Sequence, residues 1–319
     1  MDNKESLIYS YKYKTVSVDH LNELQEDIDK LKCEGKISDN KTFRSYIDEF
    51  KFEIPEDFPN AKSVIILAFF TRLSLVNFHL TGKKHEVMIP PGYYITGRKQ
   101  EEIQDIILKE IIKEPGYKIE PVKGFHLKRL AVRSGLGEYG RNNLCYVEGM
   151  GSFLALFAYF TDFEFEEDNW NEVRMMDHCK QCRICMNQCP NNCITEENFV
   201  IDVDKCITLY NEIPGEFPEW ISSDVHNALM GCMKCQFQCP GNRKIIEQTQ
   251  RFEDVTEEET KKILTGAVDE ELLNSLHKKI KMFYPENGEA FFPILKRNLS
   301  VLIGHHTLKA YITEKTLLK

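Results

Sequence analysis

Most of the chain's eleven cysteines crowd between Cys179 and Cys239. The run Cys179-Lys-Gln-Cys182-Arg-Ile-Cys185-Met-Asn-Gln-Cys189-Pro190 has the spacing C-x2-C-x2-C-x3-C-P. Such gaps let one tight loop offer three thiolates to three irons of a cube, while the fourth cysteine, turned away before proline, serves a neighbouring cube. A second run, Cys232-Met-Lys-Cys235-Gln-Phe-Gln-Cys239-Pro240, ends on the same Cys-Pro step, and Cys206 lies between the two. The exchange rule then assigns Cys179, Cys182, Cys185 and Cys239 to one [4Fe–4S] cluster, and Cys189, Cys206, Cys232 and Cys235 to the other. Structural zinc also uses C-x2-C pairs, but a tetrahedral site has no use for the third cysteine or for the two Cys-Pro steps. Cys193 is an alternative to Cys206, although a buried or idle thiol is its commoner fate, as it is for Cys33 and Cys145.

A second stretch with chemical potential is Gly135-Leu136-Gly137-Glu138-Tyr139-Gly140-Arg141-Asn142-Asn143. It matches G-x-G-x-x-G formally, but a dinucleotide site needs a strand before it and a helix after it. Here a helix leads in and a strand leads out. Glycines so close together still allow backbone to approach something bulky. From Lys118 to Arg141 the basic residues Lys118, Lys123, Lys128, Arg129, Arg133 and Arg141 face only Glu120 and Glu138. That surplus is either a solvated helix face or a cradle for a phosphate-bearing ligand.

These loops need elements to hold them. Val18, Leu21, Leu24, Ile28 and Leu31, between Ser17 and Gly35, predict an amphipathic helix. Ala61 to Phe70 has the content of a buried strand, and Ile103, Ile106, Ile107 and Ile111 mark a helix stopped by Pro115-Gly116. A short strand over Tyr117 to Val122, a helix over His126 to Arg133 and a strand over Ser152 to Phe160 complete an α/β or α+β layered domain. Periodic leucines after Thr256 predict a small helical tail. The expected division is residues 1–161 as the layered domain, 162–250 as a double-cluster ferredoxin-like module and 251–319 as the tail. Short gaps and an odd cysteine count do not make a secreted disulfide framework. The apolar runs Ser63 to Phe70 and Phe153 to Phe160 are too short to span a bilayer, and Met1 to Tyr13 is polar, so the expectation is a cytoplasmic protein that does not engage a membrane. At 42% hydrophobic residues the chain is expected to fold, and a net charge of −9 argues against broad nucleic-acid binding.

The order AKSVIILAF (Ala61 to Phe69), LAVRSGLGEYGRNN (Leu130 to Asn143), the cysteine run, IDVDKCITLYNE (Ile201 to Glu212) and GCMKCQFQCPGN (Gly231 to Asn242) resembles the epoxyqueuosine reductase family. The resemblance implies a cobalamin-binding domain of nitroreductase-like type joined to a two-cluster module. It implies that Gly135, Leu136, Gly137, Tyr139, Gly140, Arg141 and Asn142 lie beside the corrin ring, with Tyr94 near the family's Tyr-His step. Asp224-Val-His226-Asn-Ala-Leu229 lacks the glycine of the D-x-H-x-x-G signature, and the family binds cobalamin without a protein ligand to cobalt. The family also carries a catalytic aspartate upstream of the glycine loop. In this chain Pro121 falls at the matching count with Glu120 beside it, so Glu120 is the candidate general acid, and His126 a weaker one.

The resulting expectation is an iron–sulfur reductase. Reduced ferredoxin or flavodoxin would supply electrons, two clusters would pass them to cobalamin, and a small or unidentified substrate would be reduced. The short tail and net acidity argue against tRNA. The alternatives are a reductive activator acting on a separate corrinoid protein, and a ferredoxin-like carrier without its own substrate. The acidic segment Glu164 to Asp177 would offer a docking face for a basic partner or simply a solvated loop.

Overall fold

The computed structural model describes residues 10–94, 100–196 and 200–317, with side chains through residue 304; the remaining ends of the expected domains, including Met1 to Tyr9, lie outside the described residues. The chain folds as two compact units. The first comprises residues 1–71, 97–186 and 192–204, and the second residues 72–96, 187–191 and 205–319.

The strands, in chain order, are β1 (Tyr11–Ser17), β2 (Ser63–Phe70), β3 (Ser74–Leu80), β4 (Lys83–Ile89), β5 (Ile119–Pro121), β6 (Glu138–Tyr139), β7 (Cys145–Tyr146), β8 (Leu154–Thr161) and β9 (Gln250–Arg251). In the first unit β1, β2, β8 and β5 form one antiparallel sheet in that order. All eight residues of β2 are buried, because β1 and β8 flank it and helices cover the sheet. Ile65, Leu67 and Phe69 share a core with Ile103, Ile107, Ile111 and Ile112 of the expected isoleucine-rich helix. That helix runs from Gln100 and widens into a π-helical end over Ile107–Ile112, stopping where Lys113 turns left-handed, just before Pro115. Helix α1 (Leu21–Cys33) follows a short turn capped by the Ser17 side chain, and Gly35 breaks away at a φ of +65°. Helix α2 (Leu127–Arg133) packs against β2 and β8.

The second unit holds a hairpin that the sequence reading does not assign. β3 and β4 pair in register from Ser74↔Ile89 to Leu80↔Lys83. Thr81 and Gly82 both have positive φ, the type I′ geometry that matches strand twist. The hairpin's apolar face, Val76, Phe78, Val87 and Ile89, is buried with residues of α3 (Glu257–Thr265), α4 (Glu270–Ile280) and α5 (Gly288–Leu317). The division at residue 161 therefore gives way to another one. The hairpin and Tyr93 and Tyr94 after it have hydrophobic partners in the C-terminal helices, and these helices are one core with the hairpin rather than a separate tail.

Candidate metal centre

All eleven cysteines carry thiols rather than disulfides. In the second unit Cys189 closes the turn after the short helix Ile184–Gln188, Cys206 caps the helix Ile207–Asn211, and Cys232 and Cys235 flank the start of the helix Lys234–Phe237. Burial raises the Cys232 thiol pKa, and Cys206 and Cys189 lie close enough to add to that rise. A thiolate-rich patch of this kind favours a cation or cluster that offsets the charge. Among the described residues no three His, Cys, Asp or Glu side chains gather as around a single ion. A cube asks for no such gathering, since each thiolate takes its own iron.

Three asparagines, of which Asn211 and Asn298 are buried and Asn227 half-buried, hold the loop that carries Cys232. Asn211 donates to the Gly231 carbonyl at 2.8 Å, and Asn298 donates to the carbonyls of Asn211 and Leu229, both at 2.9 Å. Asn227 accepts from the Met233 N–H at 2.8 Å and donates to the Val225 carbonyl at 3.1 Å and the Cys232 Sγ at 3.2 Å. Gly231 has a φ of +63°, and a Cβ there would meet the Tyr93 ring at 2.7 Å. Tyr93 in turn donates a short hydrogen bond to Glu212, whose carboxyl pKa is raised by burial. The nearby carboxylate and thiols, on top of burial, push the Tyr93 phenol well up. These supports come from the stretch just after β4, residues 211–212, residue 227 and α5, and nothing in the cysteine spacing announces them.

In the first unit Cys179 is buried in the turn Asp177–Lys180, with Cys182 and Cys185 following. Arg141, 3% exposed, donates to the Cys179 carbonyl and to the Glu196 carbonyl at 2.6 Å. Cys239 is buried at the start of the turn Pro240–Asn242 in the second unit. Cys193 is buried in the first unit, and its carbonyl accepts from the Asp202 N–H, whereas Cys206, like Cys189, lies within electrostatic reach of Cys232. Cys145 is buried and its thiol pushed up to about 12 by that burial, which makes it a packing residue.

The glycine loop serves the chain's own packing. A Cβ at Gly137 would meet the Cys145 Sγ and the Tyr146 carbonyl at 2.7 Å, and one at Gly140 would meet the Asn142 Oδ1 and the Tyr146 ring at 2.5 Å. Gly135 has a φ of +74° and closes on Asn171. Leu136 and Tyr139 are buried, and Asn142 donates to the Tyr146 hydroxyl at 3.0 Å. The basic surplus is equally committed. Arg133 pairs with Asp27 through two hydrogen bonds, Arg129 lies beside that carboxylate, and Lys128 donates to the Asn143 carbonyl. Only Lys118 and Lys123 of that group are exposed, so the phosphate cradle is not formed.

Tyr94 lies in the second unit, its hydroxyl bonded to the backbone N–H and carbonyl of Arg72 and to Gln250, and its ring edge-on to Phe252. Glu120 is exposed on β5 opposite Phe160. His126 is half-buried and stacked on Phe50 at 5.3 Å; desolvation of its ring, with Lys128 and Arg129 nearby, lowers its pKa to about 3, which keeps the ring neutral. His226 packs on Phe217. The acidic segment is stitched to its own unit, with Asp168 on His20, Glu164 on Lys62 and the Glu167 carbonyl on Thr15. The second unit also contains a cavity of about 480 Å³, lined among others by Leu73, Met88, Asn227, Lys234 and Phe237.

Comparison with known proteins agrees with this chemistry. Residues 178–242 match the family described as 4Fe-4S double cluster binding domain. An epoxyqueuosine reductase of Cellulophaga algicola is 28% identical over 152 residues, 47% of this chain and 48% of that protein. The match thus spans about half the length of that curated relative. The epoxyqueuosine reductase structure from Streptococcus thermophilus superposes with a TM-score of 0.62 at 17% identity, covering 94% of this chain and 78% of that one. An epoxyqueuosine reductase solved with an epoxyqueuosine-modified tRNA stem loop gives 0.61 at 17% identity, covering 95% and 79%. The chain is therefore similar in sequence to epoxyqueuosine reductases and shares their mixed α and β fold. Among the described residues no helix is long and apolar enough to cross a membrane.

Proposed function

We propose that the chain is an iron–sulfur reductase holding two [4Fe–4S] clusters, one on Cys179, Cys182, Cys185 and Cys239 and one on Cys189, Cys206, Cys232 and Cys235. The observation that carries this reading is the cysteine spacing within residues 178–242, which match the family described as 4Fe-4S double cluster binding domain; in the second unit Cys189 and Cys206, from separate stretches of sequence, lie near enough to Cys232 to raise its thiol pKa further. When bound, the clusters supply one-electron transfer. The chain's own residues hold the loops that carry the thiolates. Asn211, Asn227 and Asn298 hold the Cys232 loop, Tyr93 covers Gly231, and Arg141 ties down the backbone of Cys179. Reduced ferredoxin or flavodoxin is the electron donor in this reading.

Cobalamin belongs to the proposal through the family resemblance alone. The glycine loop is filled by Cys145, Tyr146 and Asn142, so its shape does not by itself call for a corrin. The substrate expectation changes. Net charge and a short tail point away from tRNA, yet a protein of the same fold has been solved with a modified tRNA stem loop, and that stem loop replaces an unidentified small molecule as the first candidate. The test is anaerobic incubation of the reconstituted protein with cobalamin, reduced flavodoxin and an epoxyqueuosine-modified stem loop, read by mass for loss of the epoxide oxygen. An unchanged stem loop in the presence of fully reduced clusters would refute this substrate.

The exposed Glu120 favours a second reading, activation of a separate corrinoid protein, because one-electron reduction of an oxidised corrinoid substrate needs no buried proton donor. In that case a corrinoid protein, and not the stem loop, would be turned over.

A further inference from the structure

Asn227 stands five residues before Cys232, and two backbone groups fix how its amide is turned. Its Oδ1 accepts from the Met233 N–H at 2.8 Å, and its Nδ2 donates to the Val225 carbonyl at 3.1 Å. The opposite amide orientation would set oxygen against the Val225 carbonyl and NH₂ against the Met233 N–H, losing both bonds. With that orientation set, an N–H of the amide meets the Cys232 Sγ at 3.2 Å. The Lys234 backbone N–H also reaches Cys232. The backbone donor is present whatever side chain occupies position 227, so the side-chain donor can be removed separately.

Hydrogen bonds to ligand sulfurs are among the determinants of cluster potential. A donor aimed at a thiolate stabilises the state with more negative charge on sulfur, which is the reduced cluster. We propose that Asn227 is a redox-tuning residue: its amide raises the reduction potential of the cluster on Cys189, Cys206, Cys232 and Cys235 and so biases electrons toward it over its neighbour. This inference rests on the two-cluster reading above.

Asn227→Ala removes donor and acceptor together. Asn227→Asp keeps an acceptor for the Met233 N–H and sets a carboxylate against the sulfur. Wild type and both variants are reconstituted anaerobically, their iron is counted, and both midpoints are followed by EPR-monitored redox titration. The expected result is two clusters in every protein, with one midpoint moved negative in both variants and the other unmoved. At the wild-type midpoint the ratio of reduced to oxidised cluster falls about tenfold, which is about 59 mV for one electron, and the Asp shift is at least as large as the Ala shift. Pulsed EPR of the reduced shifted cluster loses one exchangeable proton coupling. Two intact clusters with unmoved midpoints would overturn the tuning role alone. Loss of the cluster in both variants would overturn it in favour of a purely structural role, and a wild type with one cluster would overturn the two-cluster reading and this inference with it.

Discussion

Arg141→Met keeps the side chain's bulk and deletes its guanidinium. That group is buried and donates to the carbonyls of Cys179 and Glu196. Hydrogen bonds from a charged donor contribute about 1.5–3 kcal/mol each, so two amount to about 3–6 kcal/mol. Removing a buried charge returns part of this, roughly half, because desolvating a guanidinium is costly. The net loss is about 1.5–3 kcal/mol. At about 2–4 °C per kcal/mol, the melting temperature of the cluster-free protein falls by about 3–12 °C. Because Cys179 opens the first cluster motif, the reconstituted variant is also expected to keep the second cluster and lose iron from the first. Arg141→Lys, which retains the charge but reaches one carbonyl at most, falls between. The assay is thermal unfolding of the apo-protein beside iron analysis of the reconstituted one. An Arg141→Met protein with unchanged melting and full iron would refute the argument that this arginine is a scaffold for Cys179.

Gly140→Ala drives a methyl into the Tyr146 ring and the Asn142 amide, and should cost about 1–3 kcal/mol in denaturant unfolding without altering the second cluster's spectrum. Burial alone would raise the Glu259 carboxyl, but hydrogen bonds from Lys279, Ser275 and Thr256 hold it down at about 2. Its stabilisation is therefore present above the ordinary carboxyl range and lost as pH falls toward 2, and Lys279→Met, which removes the charged partner of a half-buried carboxylate that keeps its Ser275 and Thr256 hydrogen bonds, should cost about 1–3 kcal/mol at neutral pH. Burial pulls His20 down, yet its hydrogen bonds to Glu23 and Asp168 win and raise its pKa. That contribution is fully present below about 6.5, the ordinary value, and is lost as pH rises through the raised one. Trp170, stacked on His20, should report the change in a Trp220→Phe background by a pH-dependent emission that His20→Gln flattens. Exposed Glu120 predicts that Glu120→Gln leaves turnover within about twofold, measured on whichever substrate proves active, because a proton donor that works in a closed site is shielded from bulk water.

What the sequence made legible was local. The spacing from Cys179 to Cys189 is a property of one loop, and the apolar content of β2 and the three-and-four spacing in α1 need no distant partner to be read. The β3–β4 hairpin had a readable signal, the alternation Val76, Phe78 and Val87, Ile89 about Thr81-Gly82. What no local pattern carries is that its apolar face belongs with Leu276, Ile280, Leu295 and Leu299, some two hundred residues later, and so the domain boundary moved. The asparagines of the Cys232 loop were silent for the same reason: Asn211 and Asn298 matter only because distant carbonyls reach them. Glycines announce a close approach without naming what approaches, and at Gly137 and Gly140 it is Cys145 and Tyr146.

The central claim is that eight thiolates hold two iron cubes. Anaerobic reconstitution followed by iron and acid-labile sulfide analysis, with Mössbauer spectroscopy of the ⁵⁷Fe-loaded protein, tests it most directly. The expected result is about eight iron and eight sulfide per chain, all in [4Fe–4S] form. Tightly bound zinc with no sulfide, or iron at half that amount, would contradict it.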